Sequence, residues 1–496
     1  MVSETSKLKK TIGFGGLLAI AMVSLYPAGI IMSAGAGLVV YAGLAAPLVM
    51  VISALLILFF TIPIFEYSRM AAFNGGYYGL SELGLGRAFG KYTATVNLTY
   101  LLFWNIVGPA AVSYGWFTFA YYLFHYQMPP VIYVLIGIGT LILIFVATVV
   151  EVKYSIRTFI IAAIIQVALI VSVAIYIVIK APYNSTLPFQ VSSAPAGINS
   201  VMLGVIVSGF LLYTMYGLPL FFGEEGKSSY KDSWKAIAAA VVITTAIGIF
   251  GTYSEIATVN PANSSILTSV WNPAAIFYTH YIGFYGILIY LILANSFLLF
   301  SVMATGMSAA RMMFSMSRDK FIKSKWLGKI DEKRGTPING AIVNLIVGIV
   351  LLVVFESIMF HFYGAFMGAV YSLFLSGSMG VAFWFFHHVV PDISFPFFLR
   401  KYHIKILSAR YFASAILAPA GAIALFVLAL YYGYSSLPEP YLAGFITVIV
   451  VLVGLVGFVI YKWKKGELGE SYVTNTVKLD LRDSEKTKSE SIAVTK

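Results

Sequence analysis

Two stretches of this sequence place a proline close to a glycine inside long apolar runs: Tyr26-Pro27-Ala28-Gly29 and Tyr213-Thr214-Met215-Tyr216-Gly217-Leu218-Pro219. Proline removes a helical N–H and glycine loosens the backbone, so each stretch predicts an unwound turn within a helix. Hydrocarbon cannot satisfy the N–H and C=O groups that such a turn exposes, but a ligand can. Half-helix N-termini suit a carboxylate and carbonyl ends suit an ammonium group, so two such turns fit a zwitterion. Proline and glycine also simply kink transmembrane helices. Two breaks in corresponding positions favour the ligand reading over that one.

Other candidate residues are sparse. Trp104 and Asn105 fall near the middle of the third apolar run, where they line a pocket or pack against neighbouring helices. Ser301 and Thr305, one turn apart in the eighth run, offer oxygen ligands for Na+ or hydroxyls bonded to their own helix. Glu224 and Glu225 follow the sixth run and offer an inner gate with nearby Arg or Lys, or else a pair of solvated charges. No ionisable residue is expected near either break, which favours a neutral ligand. His387 and His388 are read as the interfacial end of the tenth run, without the carboxylates or thiolates a metal site would need. With no cysteine, disulfides, thiolate metal sites and cysteine nucleophiles are excluded.

These residues lie in a chain that is 60% hydrophobic and only 10% charged. A soluble protein has about 25% charged residues, so the composition predicts an integral membrane protein. Apolar runs of spanning length fall at 12–36, 39–65, 91–123, 129–150, 155–180, 200–223, 236–258, 285–317, 338–357, 362–388, 411–434 and 441–463. Twelve helices are expected, with the breaks in the first and sixth. That spacing matches two five-helix repeats of opposite orientation followed by two extra helices, a LeuT-like all-α arrangement. With the N-terminus inside, of all the Lys and Arg residues only Lys180 falls outside, so the +12 charge is an orientation signal rather than a nucleic-acid surface. The division is a cytoplasmic N-terminus at 1–10, a membrane domain at 11–463 and a polar, disordered cytoplasmic tail at 464–496.

Several motifs in order along the chain resemble the amino acid, polyamine and organocation superfamily of permeases. They are Arg69-Met70-Ala71-Ala72-Phe73-Asn74-Gly75-Gly76-Tyr77-Tyr78 with Leu83-Gly84 and Gly90, then Gly223-Glu224-Glu225-Gly226-Lys227. Ala309-Ala310-Arg311-Met312-Met313-Phe314-Ser315-Met316-Ser317-Arg318-Asp319 and Gly335-Thr336-Pro337 follow. The proline usual in relatives soon after the paired glutamates is missing here. The resemblance covers about the first ten helices and implies a secondary transporter in the cell membrane, embedded in lipid and without a cofactor, that moves amino acids by alternating access.

By the same resemblance, the substrate's charged ends should meet backbone around Pro27, Ala28, Gly29 and Ile30, and around Tyr213, Tyr216 and Gly217. Tyr213 stands where relatives commonly carry an aromatic gate. Some relatives place a lysine midway along the fifth helix for proton coupling, and Gln166 occupies that region here. The driving ion is left open between Na+ and H+, as are the particular amino acid and the oligomeric state. A carrier of the same fold for polyamines or other organic cations is the alternative. An embedded enzyme would need a facing acid–base or nucleophile cluster, and a channel would need rows of polar residues; neither is visible.

Overall fold

In the computed structural model of this chain, the apolar runs satisfy their own backbone as helices, the solution that hydrocarbon imposes. The structure describes residues 10–473 apart from Ser33, 72–74 and Pro438, so part of the motif around Ala72, Phe73 and Asn74 lies outside the described residues, as does the tail from 474. The first span consists of α1 (Phe14–Ser24), α2 (Gly29–Met32) and α3 (Ala34–Ala42). A 3-10 turn at Gly43, whose φ is 56°, reverses the chain into the second span, α4 (Ala46–Met70). The short α5 (Tyr78–Leu85) leads into α6 (Arg87–Phe124), α7 (Pro130–Val149) and α8 (Val152–Lys180), which complete the first five spans.

The second five spans begin with α9 (Ile198–Gly204), continued by a π turn at Val205–Gly209, and α10 (Ser229–Ile256). A short α11 (Pro273–Phe277) precedes α12 (Thr279–Arg318), the eighth span. The ninth and tenth are the two arms of α13 (Ile338–Lys401), which bends at Gly364 where φ is 69°. A second π turn joins α14 (Ser408–Phe412) to α15 (Ala418–Ser435) as the eleventh span, and α16 (Glu439–Lys464) is the twelfth. Among the described residues, nine helices are long and apolar enough to cross a membrane. Dividing α13 at its bend and adding the two interrupted spans brings the total to twelve. Spans one and six cross in opposite directions, as the two five-span units require.

The ends of several spans differ from the sequence expectation, the first, second and tenth among them. The first span reaches Ala42 and the second reaches Met70, because the chain reverses only at Gly43. The tenth does not stop at His388 but continues to Lys401 through Pro391 and Pro396. Prolines are tolerated inside such a helix when side chains take up the freed carbonyls. Here the extension is packed against α4, with the Tyr67 hydroxyl 2.6 Å from that of Ser394.

The interior lies along α6 and the second arm of α13. Phe103 packs on Phe383 at 5.5 Å, Tyr114 on Phe374 at 5.7 Å, and Trp104 lies against Gly380. The outer faces of α7, α8 and α16 instead expose Leu135, Ile164, Val450 and Val453, as a lipid-facing surface should.

Candidate functional site

The first break follows from Pro27 and from Tyr26, whose φ of 59° puts a bulky aromatic residue in the left-handed region. That conformation costs roughly 1–2 kcal/mol and persists only where surroundings enforce it. Tyr26 is buried, and a Cβ on Gly29 would fall inside its ring, so glycine is required there. The Gly29 N–H turns back to the Tyr26 carbonyl at 2.8 Å and the Ile30 N–H to Pro27 at 3.2 Å. No hydrogen bond among the described residues takes up the Ala28 N–H or the Ser24 and Leu25 carbonyls. The break therefore presents a main-chain donor beside two acceptors.

The second break is longer than Tyr213–Pro219. After the π turn, the chain runs as isolated turns from Phe210 to Gly217 before a 3-10 turn at Leu218–Phe222. Within this run the Met215 and Gly217 N–H groups take no hydrogen bond among the described residues. The Thr214 carbonyl accepts from Tyr100 at 2.7 Å, tying the run to α6. Gly217 sits directly under Tyr77, whose hydroxyl a Cβ at that position would overlap. Tyr213 is fully buried with its hydroxyl 2.9 Å from Thr245 on α10.

The paired glutamates are not loose solvated charges. Both Glu225 carboxylate oxygens accept from the buried Arg311 guanidinium, from Nε at 2.6 Å and Nη2 at 3.1 Å, and the guanidinium lies 4.1 Å over Phe222. Glu224 makes the same two-point contact with Arg318, at 3.0 Å twice. The expected loop partners are thus arginines from the end of α12. The Glu225 carbonyl also accepts from Thr11 and Ile12 at 2.9 and 3.0 Å, and Lys227 donates to Ile12 at 2.8 Å, so the chain start forms a short parallel bridge with this loop.

Beside it, Asp319 accepts from Lys91 at 2.5 Å and Tyr78 at 3.0 Å. The residues following α16 cross this cluster: Arg87 donates to Gly469 at 3.0 Å, Glu470 N–H to the Asp319 carbonyl at 2.6 Å, and Tyr472 lies 3.5 Å under Arg318. The start of the expected disordered tail is therefore packed, with Leu468, Ser471 and Val473 buried. Bidentate pairs, backbone bridge and tail together latch the side of the protein that carries both ends of the described chain.

Asn105 is bonded to Asn344 on α13 through a two-way amide pair at 3.0 and 3.3 Å. Trp104 is buried beside Tyr100, its indole N–H without a partner among the described residues. Ser301 and Thr305 donate to the Leu298 and Val302 carbonyls of their own helix at 2.7 and 2.6 Å. Gln166 is buried on α8.

Two expectations about ionisable groups are corrected. His387 and His388 are not interfacial; they are buried within α13, which continues about 20 Å beyond them. Nor is the second break free of ionisable neighbours, because the Tyr216 hydroxyl lies 2.7 Å from His388 Nε2. Tyr77 stacks on His387 with ring centres 4.5 Å apart, and Tyr100 and Trp384 close the cluster at 4.6 Å from His387 and His388. Asp392, one helical turn beyond His388, is buried too. The signal in the sequence was two histidines and an aspartate within six residues of an apolar run, where ionisable groups are costly.

Twelve spans with the first and sixth interrupted, unpaired main-chain groups at both breaks and an ion-paired latch on one side define a broken-helix membrane transporter. The chain belongs to the amino acid permeases of the amino acid, polyamine and organocation superfamily: the family model described as amino acid permease matches residues 12–474. It is accordingly a multi-pass membrane transporter of amino acids. No curated protein matched the chain.

Proposed function

We propose that this permease carries neutral amino acids by alternating access. The observation that carries the reading is the pair of breaks whose main-chain groups, at Ser24, Leu25 and Ala28 and at Met215 and Gly217, are left for a ligand. The α-carboxylate takes the N–H groups and the α-ammonium group the carbonyls. An apolar surround supports a neutral side chain: Met22, Val23, Ala28 and Ile30 are buried about the first break. Tyr213 closes over the substrate as a gate, anchored through Thr245 in the present conformation.

Purified protein in liposomes, offered each of the labelled amino acids and putrescine under imposed ion gradients, tests this. Saturable uptake of neutral amino acids is expected, and uptake of putrescine alone would overturn the reading in favour of an organic-cation carrier. Tyr213→Ala should reduce amino acid uptake strongly. Tyr213→Phe, which keeps the ring and loses a hydrogen bond worth about 1 kcal/mol, should largely preserve it. Equal uptake by the wild type and the Ala variant at equal folded amounts would remove the gate role.

The latched side is assigned to the cytoplasm. Arg311, Arg318, Arg87, Lys91 and Lys462 all gather there, whereas Lys180, at the end of the fifth span, stands on the opposite side. Tags at both ends should be protected from protease in right-side-out vesicles. Cleavage of either tag in sealed vesicles would reverse or break the topology.

A further inference from the structure

We propose that His387, His388 and Asp392 on α13 bind one proton between them, and that this proton is co-transported with the amino acid. The inference rests on the transport reading above and adds its driving ion and the site that holds it.

The three side chains are buried to within 1% of complete. Neither ring nitrogen of His387 and neither carboxylate oxygen of Asp392 has a hydrogen-bond partner among the described residues. Among the described residues, the only hydrogen-bond partner of His388 is the Tyr216 hydroxyl. None of the described ion pairs involves any of the three. The titratable groups facing them are phenols from four elements: Tyr67 on α4, Tyr77 at the start of α5, Tyr100 on α6 and Tyr216 in the unwound run. Phenols are neutral near pH 7, so no countercharge is supplied.

A bare carboxylate in such a place costs several kcal/mol, and each unpaired buried acceptor adds about 1–3 kcal/mol. As packing, the cluster has nothing to recommend it over an apolar set of the same volume. One proton changes that. A carboxylate and two imidazoles holding a single extra proton are neutral together, whether the proton sits on oxygen or on nitrogen. Ionisable groups kept inside a membrane at such cost are retained for what they carry.

The location links this proton to the transport cycle. Tyr216, which contacts His388 and lies within electrostatic reach of Asp392, is adjacent to Gly217, and Tyr77 lies against both Gly217 and the two imidazoles. Rearrangement of the unwound run removes the partner of His388 and opens the cluster to water. The proton enters from the compartment facing the open site and leaves when the latched side opens, with no other bond made or broken. The other buried carboxylates are differently placed: Glu66, Glu82, Glu225 and Asp319 are ion-paired, Glu356 accepts from Ser372, and Glu255 ends α10 beside Tyr278 and Tyr290.

The experiment uses full-length protein in liposomes loaded with the pH dye pyranine, and the best transported of the twenty labelled amino acids as probe. With one proton per amino acid, each unit of pH gradient should raise steady-state accumulation about tenfold, and the lumen should acidify as the probe enters. Asp392→Asn and, separately, His388→Gln should abolish both effects while exchange of internal for external amino acid persists at a reduced rate, which also reports folding. Exchange by the wild type without proton movement would overturn the proton site alone. Gradient-driven accumulation retained by either exchanging variant would overturn it as well. No exchange of any amino acid by the wild type would remove the transport reading and this inference with it.

Discussion

Arg311→Ala is expected to lower the stability of the purified protein by about 3–5 kcal/mol and to unlatch its ion-paired side, because it leaves the buried Glu225 carboxylate without its guanidinium. The charge is lost together with two hydrogen bonds to Glu225 and one to the Met307 carbonyl at 3.1 Å. Since the Glu225 carbonyl also holds Thr11 and Ile12, loosening this loop frees the chain start from it. The chain has no cysteine, so Ile12→Cys supplies a clean reporter at a buried position. In the wild-type background a maleimide should label it slowly; with Arg311→Ala labelling should speed up and the thermal melt fall. Replacing both partners, Arg311→Met with Glu225→Leu, removes the uncompensated charge and should recover much of the melt while labelling stays fast. Unchanged melting and labelling in the single variant would mean that the bidentate pair does not hold this side closed.

Gly217→Leu should abolish amino acid binding, an effect at least as large and of different origin. Any Cβ at this position overlaps the Tyr77 hydroxyl, so the substitution displaces the unwound run as well as blocking main-chain atoms. The two causes separate in a second variant. Gly217→Ala combined with Tyr77→Phe removes the hydroxyl that a Cβ would meet first and should restore folding, yet leave affinity reduced about tenfold or more, a difference of 1.4 kcal/mol or above. Gly29→Leu should behave like Gly217→Leu at the first break, where the Tyr26 ring fills the space. Isothermal titration with the best substrate, alongside a thermal melt, measures both. A well-folded Gly217→Leu protein with unchanged affinity would place the site elsewhere.

The spans and the breaks were legible in the sequence because their causes are local. An apolar run of bilayer length must be helical, and Pro27 or Pro219 removes a donor wherever it sits. The details that were not legible depend on what faces each run. The tenth span continues through Pro391 packed against α4, where Tyr67 meets Ser394 some 330 positions away in sequence, a contact invisible to a proline rule. Asn105 stood open between lining a pocket and packing on a neighbouring helix, because polarity in a run is visible whereas its partner Asn344 lies some 240 positions away in sequence.

Charge followed the same division. The distribution of Lys and Arg among the loops separates the two sides of the membrane by counting alone, since retention on one side acts on each short loop independently. It could not say that Glu225 would meet Arg311, or that the tail after Lys464 would fold back onto Asp319 and Arg318. Pairing of buried charges is decided by which helix ends the fold brings together.

What the sequence determined by itself was therefore a helical membrane permease with two interrupted spans, because hydropathy, proline and loop charge act within one segment at a time. Only the tertiary structure decided what stands beside the breaks: Tyr77 over Gly217, Thr245 on Tyr213, and the His387, His388 and Asp392 cluster behind Tyr216. Those neighbours come from the start of α5, from α10 and from α13, and no periodicity within a segment encodes which face of one helix packs on another.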